Sequence, residues 1–287
     1  MPSLKAIRKR IASVRNTQKI TKAMKMVSAA KLRRAQEAAV SARPYAQKLS
    51  ELLQSVAGEV TDEAHPLLRP VESEARVHLV IMTSDRGLCG AYNAALLRQA
   101  EAYVRRQAGR DVSLTVVGRK GVEFFRRRSV PIADRHVHIP GPSIGLAREI
   151  ATKVGTEFAD GRTDRVDLLY SAFRSALSQV PTLETLLPIA IEARADDASP
   201  APEHLMEPDR MALLHRLLPQ FVGVRIYHAL LEAVASEHGA RMTAMDSATS
   251  NAAKMIFTLT LAMNRARQAA ITKELMEIVS GAEALKG

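Results

Sequence analysis

From Val224 to Ala269 an apolar or small side chain recurs at alternating steps of three and four residues. One series is Val224, Leu231, His238, Met245, Ala252, Leu259 and Ala266; the other is Tyr227, Val234, Arg241, Ala248, Met255, Ala262 and Ala269, and only His238 and Arg241 are polar. A 3.5-residue repeat holds all of these on one slowly winding seam, which predicts a long coiled-coil strand. A helix from Pro219 to Gly281 would measure on the order of 90 Å. That exceeds the width of most compact domains, so it is expected to project as a shaft or spacer.

The start of the chain predicts a second long helix. Residues 3 to 57 contain no Gly and a single Pro, Pro44, and are rich in Ala, Lys, Arg, Gln and Leu, all good helix formers. Leu4, Ile7, Ile11 and Val14 keep the three-four spacing, whereas Ile20, Met24 and Val27 resume it out of phase. This predicts a seam shift after Val14, with a local change of winding. Pro44 is expected to kink the helix.

Between the two helices the pattern changes. Pro66 and Pro70 mark a boundary, and Val77–Thr83 then reads as a buried strand by its β-branched apolar run. A helix over Asn93–Gln107, a strand over Val112–Val117 and a short helix over Val122–Arg128 follow. Ser143–Ala159 reads as helix, Val166–Phe173 as strand, and Gln179–Ile191 as a further strand that Pro181 and Pro188 place at an edge or end early. Strands alternating with helices predict a mostly parallel, doubly wound sheet. Residues 193–208 form a linker by composition, with the next helix starting at Pro208-Asp209 and Pro219 interrupting it early. The fold class is α/β: two long terminal helices forming an antiparallel coiled coil, with a Rossmann-like doubly wound domain inserted between them. The expected divisions are an N-terminal coiled-coil helix over 1–58, an α/β domain over 75–192 and a C-terminal coiled-coil helix over 209–287.

Charge adds a partner requirement. The net charge is +11. Residues 1–48 hold 13 Lys or Arg against one acid, Glu37, so the whole excess lies in the N-terminal segment. That segment calls for an acidic partner. Cys89 is the single cysteine, so no intrachain disulfide can form, which suits a reducing compartment. No run of 18 apolar residues and no secretory signal is visible.

Candidate chemistry is sparse. The loop Thr83-Ser84-Asp85-Arg86-Gly87-Leu88-Cys89-Gly90 follows the first strand, where open α/β sheets bind ligands. Neither phosphate-binding glycine fingerprint is present in the chain, and a turn whose Asp85 and Arg86 bond locally is the plainer reading. Cys89 has no nominated base. His136 and His138 share one face of a strand, and His204, His215 and His228 are scattered, so no metal-ligand spacing is complete. No catalytic residue, cofactor or metal is expected.

Four segments resemble the gamma subunit of F-type ATP synthases. Residues Ile11-Ala12-Ser13-Val14-Arg15-Asn16-Thr17-Gln18-Lys19-Ile20-Thr21-Lys22-Ala23-Met24 are similar to that family's N-terminal signature. Ala266-Arg267-Gln268-Ala269-Ala270-Ile271-Thr272-Lys273-Glu274-Leu275, with Glu277 to Ala282, is similar to its C-terminal signature. Ser84 to Gly90 resembles its first αβ turn, and Glu207-Pro208-Asp209 its foot region. The match spans essentially the whole chain in order, starting at about Leu4, which is expected to leave no room for an organellar transit peptide.

The resemblance implies a noncatalytic central rotor shaft, the helix pair standing inside a ring of three alpha and three beta subunits and the α/β domain forming a foot on the c-subunit ring. Epsilon is a further implied partner, nucleotides bind on the neighbours, and the location is peripheral, on the cytoplasmic face of the bacterial inner membrane. Proton-driven rotation would cycle the beta-subunit sites for ATP synthesis. Carried over by motif, Arg267, Gln268 and Thr272 would meet the beta-subunit loop that grips the shaft, and Lys22 and Met24 the acidic beta lever segment. His204 and Glu207 would contact the c ring. Where many relatives carry tyrosines before Glu207, this chain has His204, Leu205 and Met206, and the paired-cysteine insertion of chloroplast relatives is absent. Two other classes remain in view: a nucleic-acid binder acting through the basic arm, and an enzyme using the Asp85–Gly90 loop.

Overall fold

The computed structural model describes residues 3–57, 65–70, 74–190 and 209–284. Two helices account for nearly half of the chain: α1, Leu4–Ala57, and α5, Arg210–Ala284, of 54 and 75 residues. Between them lie β1 (Arg76–Met82), α2 (Tyr92–Arg106), β2 (Asp111–Val117), α3 (Arg119–Phe125), β3 (Ile132–His136), α4 (Ile144–Ala159), β4 (Arg165–Phe173) and β5 (Gln179–Leu187). The chain divides into two compact units, Met1–Val27 with Met242–Gly287, and Ser28–Arg241.

In the larger unit the sheet order is β3-β2-β1-β4-β5, with β1 to β4 parallel and β5 antiparallel at the edge. The expected edge position of the proline-bearing strand is therefore met by β5, which stops at Leu187, immediately before Pro188. Strand β3 was not among the assigned elements, although His136 and His138 are spaced for one strand face; it ends at His136, so His138 lies beyond it. The strand's sequence, Ile-Ala-Asp-Arg-His, carries one large apolar residue, because an edge strand buries too little to need an apolar run.

Alternation along the strands splits the core in two. Val77, Leu79 and Ile81 of β1 join Leu96, Ala100 and Tyr103 of α2 and Phe125 of α3 on one face. Val80 and Met82 join Ile150 and Val154 of α4, Leu53 and Val56 of α1, and Leu214, Leu218 and Val222 of α5 on the other. The helix starts are built as the sequence suggested: the Ser143 hydroxyl accepts the Leu146 amide at 3.2 Å, and Asp209 Oδ1 accepts the Ala212 amide at 2.8 Å.

Neither internal proline breaks its helix. Pro44 and Pro219 both lie within continuous helix, so the uninterrupted strand does not begin after Pro219 as the sequence suggested. Both prolines are solvent-exposed. The carbonyl four residues earlier, deprived of its N–H partner, can then be hydrated instead of being buried unpaired.

The smaller unit is an antiparallel helix pair. The hydroxyls of Thr21 and Thr249 lie 2.8 Å apart and Lys25 Nζ is 2.6 Å from Asp246 Oδ1, so the α1 number rises as the α5 number falls. Here the sequence reading needs two corrections. First, the α1 seam does not shift. Leu4, Ile7, Ile11, Val14, Gln18, Thr21, Lys25 and Ser28 are buried or half-buried in an unbroken three-four alternation, whereas Ile20 is 61% and Val27 56% exposed. Regular winding along the whole helix prevails, and polar residues fill the seam where apolar ones face outward. Second, α5 keeps both of its series as far as Arg241 and Ala248 but only one of them beyond. Met245, Ala252, Leu259 and Ala266 turn inward together with Thr249, Ile256, Met263 and Ala270, while Met255, Ala262 and Ala269 are exposed. Small and apolar residues occupy both flanks of the first series, and the flank bearing Thr249, which meets Thr21, is the one packed.

Candidate interaction surface

The helix pair offers two separate surfaces. On the first, Gln18, Lys19, Lys22, Lys25, Met26, Asp246 and Thr249 line an open groove of about 480 Å³. Lys25 and Asp246 remain 42% and 61% exposed, so their ion pair contributes little to stability, and Lys19 and Lys22 project into solvent. Of the predicted contact residues here, Lys22 is exposed and Met24 half-buried. The second surface is the end of α5, where Arg267, Gln268 and Thr272 are all exposed. Lys22 lies beside the Thr21–Thr249 contact, and Arg267 is 18 residues further along α5, roughly 27 Å away. The predicted residues thus lie in two patches. His204 and Glu207 lie outside the described residues.

Beyond Ala270 no side chain of the helix is covered by another described residue. Every side chain from Ile271 to Ala282 is exposed, including Ile278 at 71% and Leu275 at 57%. With Ile20, Met26, Val27, Phe257 and Leu261 also exposed, the pair carries far more outward apolar surface than a solvated helix requires, which marks a binding surface.

The loop after β1 is a closed joint. Ser84 donates its hydroxyl to the Arg86 carbonyl at 2.6 Å, and its amide is accepted by Asn93 Oδ1 at 3.1 Å. Asp85 does not bond locally, as the sequence had suggested; its two oxygens accept the Arg119 and Ile139 amides at 2.9 and 3.1 Å. Gly118 sits at φ 92°, and a Cβ there would overlap the Thr83 carbonyl. From α5, the Arg241 guanidinium reaches the carbonyls of Arg86 and Gly87 at 3.3 and 3.2 Å and pairs with Glu237 at 2.7 Å. Burial raises the Glu237 pKa against the opposing pull of Arg241. Burial also raises the Cys89 thiol, so it stays protonated near neutrality and is a poor nucleophile.

His136, which ends β3, lies 3.3 Å from Asp134, with Lys153 on the same carboxylate at 2.9 Å. Among the described residues no three His, Cys, Asp or Glu side chains converge as metal ligands, and no helix is long and apolar enough to cross a membrane. Sequence reasoning missed the ties from α5 into the sheet unit. Arg241 gave a signal, as a cation on an otherwise apolar series; Glu232 and Ser236, which bond to the β4 backbone, gave none, because backbone partners leave no mark in a sequence.

Comparison with known proteins agrees with this arrangement. The sequence profile of the family described as ATP synthase matches residues 3–285. The chain is 51% identical to the ATP synthase gamma chain of Geobacter metallireducens and 49% identical to that of Moorella thermoacetica, in each case over 100% of both chains. Among solved structures, the central stalk and c-ring assembly of Tetrahymena thermophila mitochondrial ATP synthase contains a chain that is 26% identical, with a TM-score of 0.61 over 80% of this chain and 99% of that one. A chain of the Euglena gracilis mitochondrial ATP synthase shares the fold at a TM-score of 0.71 and 20% identity, over 98% of this chain and 94% of that one.

Proposed function

Because the chain belongs to the gamma-chain family of the F-type ATP synthases, we propose that its helix pair turns inside a ring of alpha and beta subunits and carries rotation from a c-subunit ring to the catalytic sites. The protein is a noncatalytic subunit, the central rotor of the synthase. Epsilon is its further partner, and it acts peripherally at the cytoplasmic face of the bacterial inner membrane.

The observation that carries this reading is the free end of α5. Residues 271–282 are helical with every side chain exposed, five of them large and apolar. An isolated helical end of this kind is stable only when something encloses it, and a narrow apolar sleeve formed by surrounding subunits fits that need.

The mechanism follows from asymmetry. Chemically identical sites hold different affinities only if a partner interacts with each differently. The helix pair presents unlike sides: Lys19 and Lys22 border the groove, Ile20 and Val27 form apolar patches, and turning it brings each side to each beta subunit in sequence. Lys22 and Met24 meet an acidic beta segment, for which the cationic surface is suited. Arg267, Gln268 and Thr272 bond to the beta loop around the end of α5, Arg267 by charge-assisted hydrogen bonds.

Reconstitution of purified alpha and beta subunits with and without this chain tests the reading. The chain is expected to join a stoichiometric complex and raise ATP turnover, and Arg267→Ala with Thr272→Ala to lower that turnover. A complex unaffected by the double substitution would remove the assigned grip, and failure to form any complex would contradict the rotor reading.

A further inference from the structure

Strand β4 outruns its neighbour. The parallel ladder with β1 ends at Ile81 and Leu169, whereas β4 continues to Phe173 against β5 alone. In this overhang α5 supplies partners to the strand backbone. The Ser236 hydroxyl donates to the Ser171 carbonyl at 2.8 Å, and Glu232 Oε2 accepts the Phe173 amide at 2.7 Å. Ser236 is wholly buried and the Glu232 side chain is 15% exposed, so water competes weakly for either bond.

The spacings are commensurate. Two residues of strand advance about 6.6 Å and four residues of helix about 6 Å. Glu232 and Ser236, a turn apart, therefore meet Phe173 and Ser171, two residues apart, with helix and strand running in opposite directions. The next turn brings Gly239 against the same hairpin, where a Cβ would lie 3.1 Å from Phe173 Cε2 and 3.5 Å from Ala176 Cα. The buried α5 residues around these contacts are apolar and of mixed size, Ala229 and Ala233 beside Leu230 and Leu231. Apolar packing carries no direction and admits a second arrangement displaced by one turn. Two directional bonds to fixed backbone groups do not, since that displacement breaks both, taking the half-buried Phe173 amide from its acceptor and leaving the Glu232 carboxylate only His228 of its own helix, 4.0 Å away.

We propose that Glu232 and Ser236 are positioning residues that key α5 onto β4, fixing the axial and rotational register of the long helix on the sheet so that torque entering the sheet leaves through α5 without slip. This rests on the rotor reading above. It separates two tasks in one helix: apolar packing supplies the adhesion, and the polar pair sets the register.

The test uses the whole ATP synthase in inverted membrane vesicles, with proton pumping and ATP hydrolysis measured on the same sample. The Glu232→Ala, Ser236→Ala double variant is expected to assemble and hydrolyse ATP but to lose most of its pumping per ATP. Glu232→Gln, which keeps an acceptor for the Phe173 amide, is expected to retain most of it. A merely structural role would lower the amount of complex, and with it both activities together, leaving their ratio at the native value; that outcome overturns the proposal. If the double variant does not accumulate, Ser236→Ala alone decides by the same ratio. Vesicles carrying the native chain that neither pump nor hydrolyse would instead overturn the rotor reading itself.

Discussion

His78 illustrates how single residues set the behaviour of the sheet unit. Its ring lies between Ser113 Oγ at 2.7 Å and Thr115 Oγ1 at 2.8 Å, and it is 1% exposed. Burial, helped by Lys153 and opposed by Asp134, lowers its pKa to about 4 from 6.5. A histidine depressed in the folded state adds stability above its unfolded pKa and loses it as pH falls towards the folded one. The chain should therefore lose on the order of 3 kcal/mol between pH 6.5 and 4 through this group. Denaturant unfolding at pH 7 and pH 4.5 checks this, with His78→Gln expected to give a flatter dependence than the native chain; equal slopes would remove the assignment. Residues of this kind were invisible in the sequence, where His78 sat in a strand as one polar letter. Its burial became apparent only once β2 supplied two hydroxyls to accommodate it.

At the scale of the element, the strands and helices were legible because their signals are local. Apolar runs gave β1, β2 and β4, and Ser143 and Asp209 gave the starts of α4 and α5. The seam phase of α1 was not legible, because it depends on the winding of all 54 residues and on the partner helix rather than on the nearest apolar letters. The distinction is measurable. Ile11, 6% exposed, is a seam residue, and Ile11→Ala should cost about 2 to 4 kcal/mol. Ile20→Ala should change the stability of the free chain by less than about 0.5 kcal/mol. Thermal unfolding followed by helical circular dichroism distinguishes the two, and a larger loss at Ile20 would restore the shifted seam. The two segments that carry the proposed contacts, Lys22 with Met24 and Arg267 to Thr272, were marked by motif alone. Their separation along α5 was not legible, because it follows from the antiparallel register and no short motif encodes register.

For the whole molecule, the chain invests its sequence in long helices, a basic N-terminal segment and a closed sheet unit, and in no pocket with converging catalytic groups among the described residues. Those features suit a part that transmits motion. The decisive measurement is direct observation of rotation. Complexes of the chain with alpha and beta subunits would be fixed to a surface through the ring, with a bead attached at Arg127→Cys. Arg127 is exposed, and native Cys89 is 2% exposed and shielded from labelling. On addition of ATP, the bead is expected to turn in one direction in steps of a third of a revolution, one for each catalytic site. A complex that hydrolyses ATP steadily while the bead stays at one angle would contradict the account.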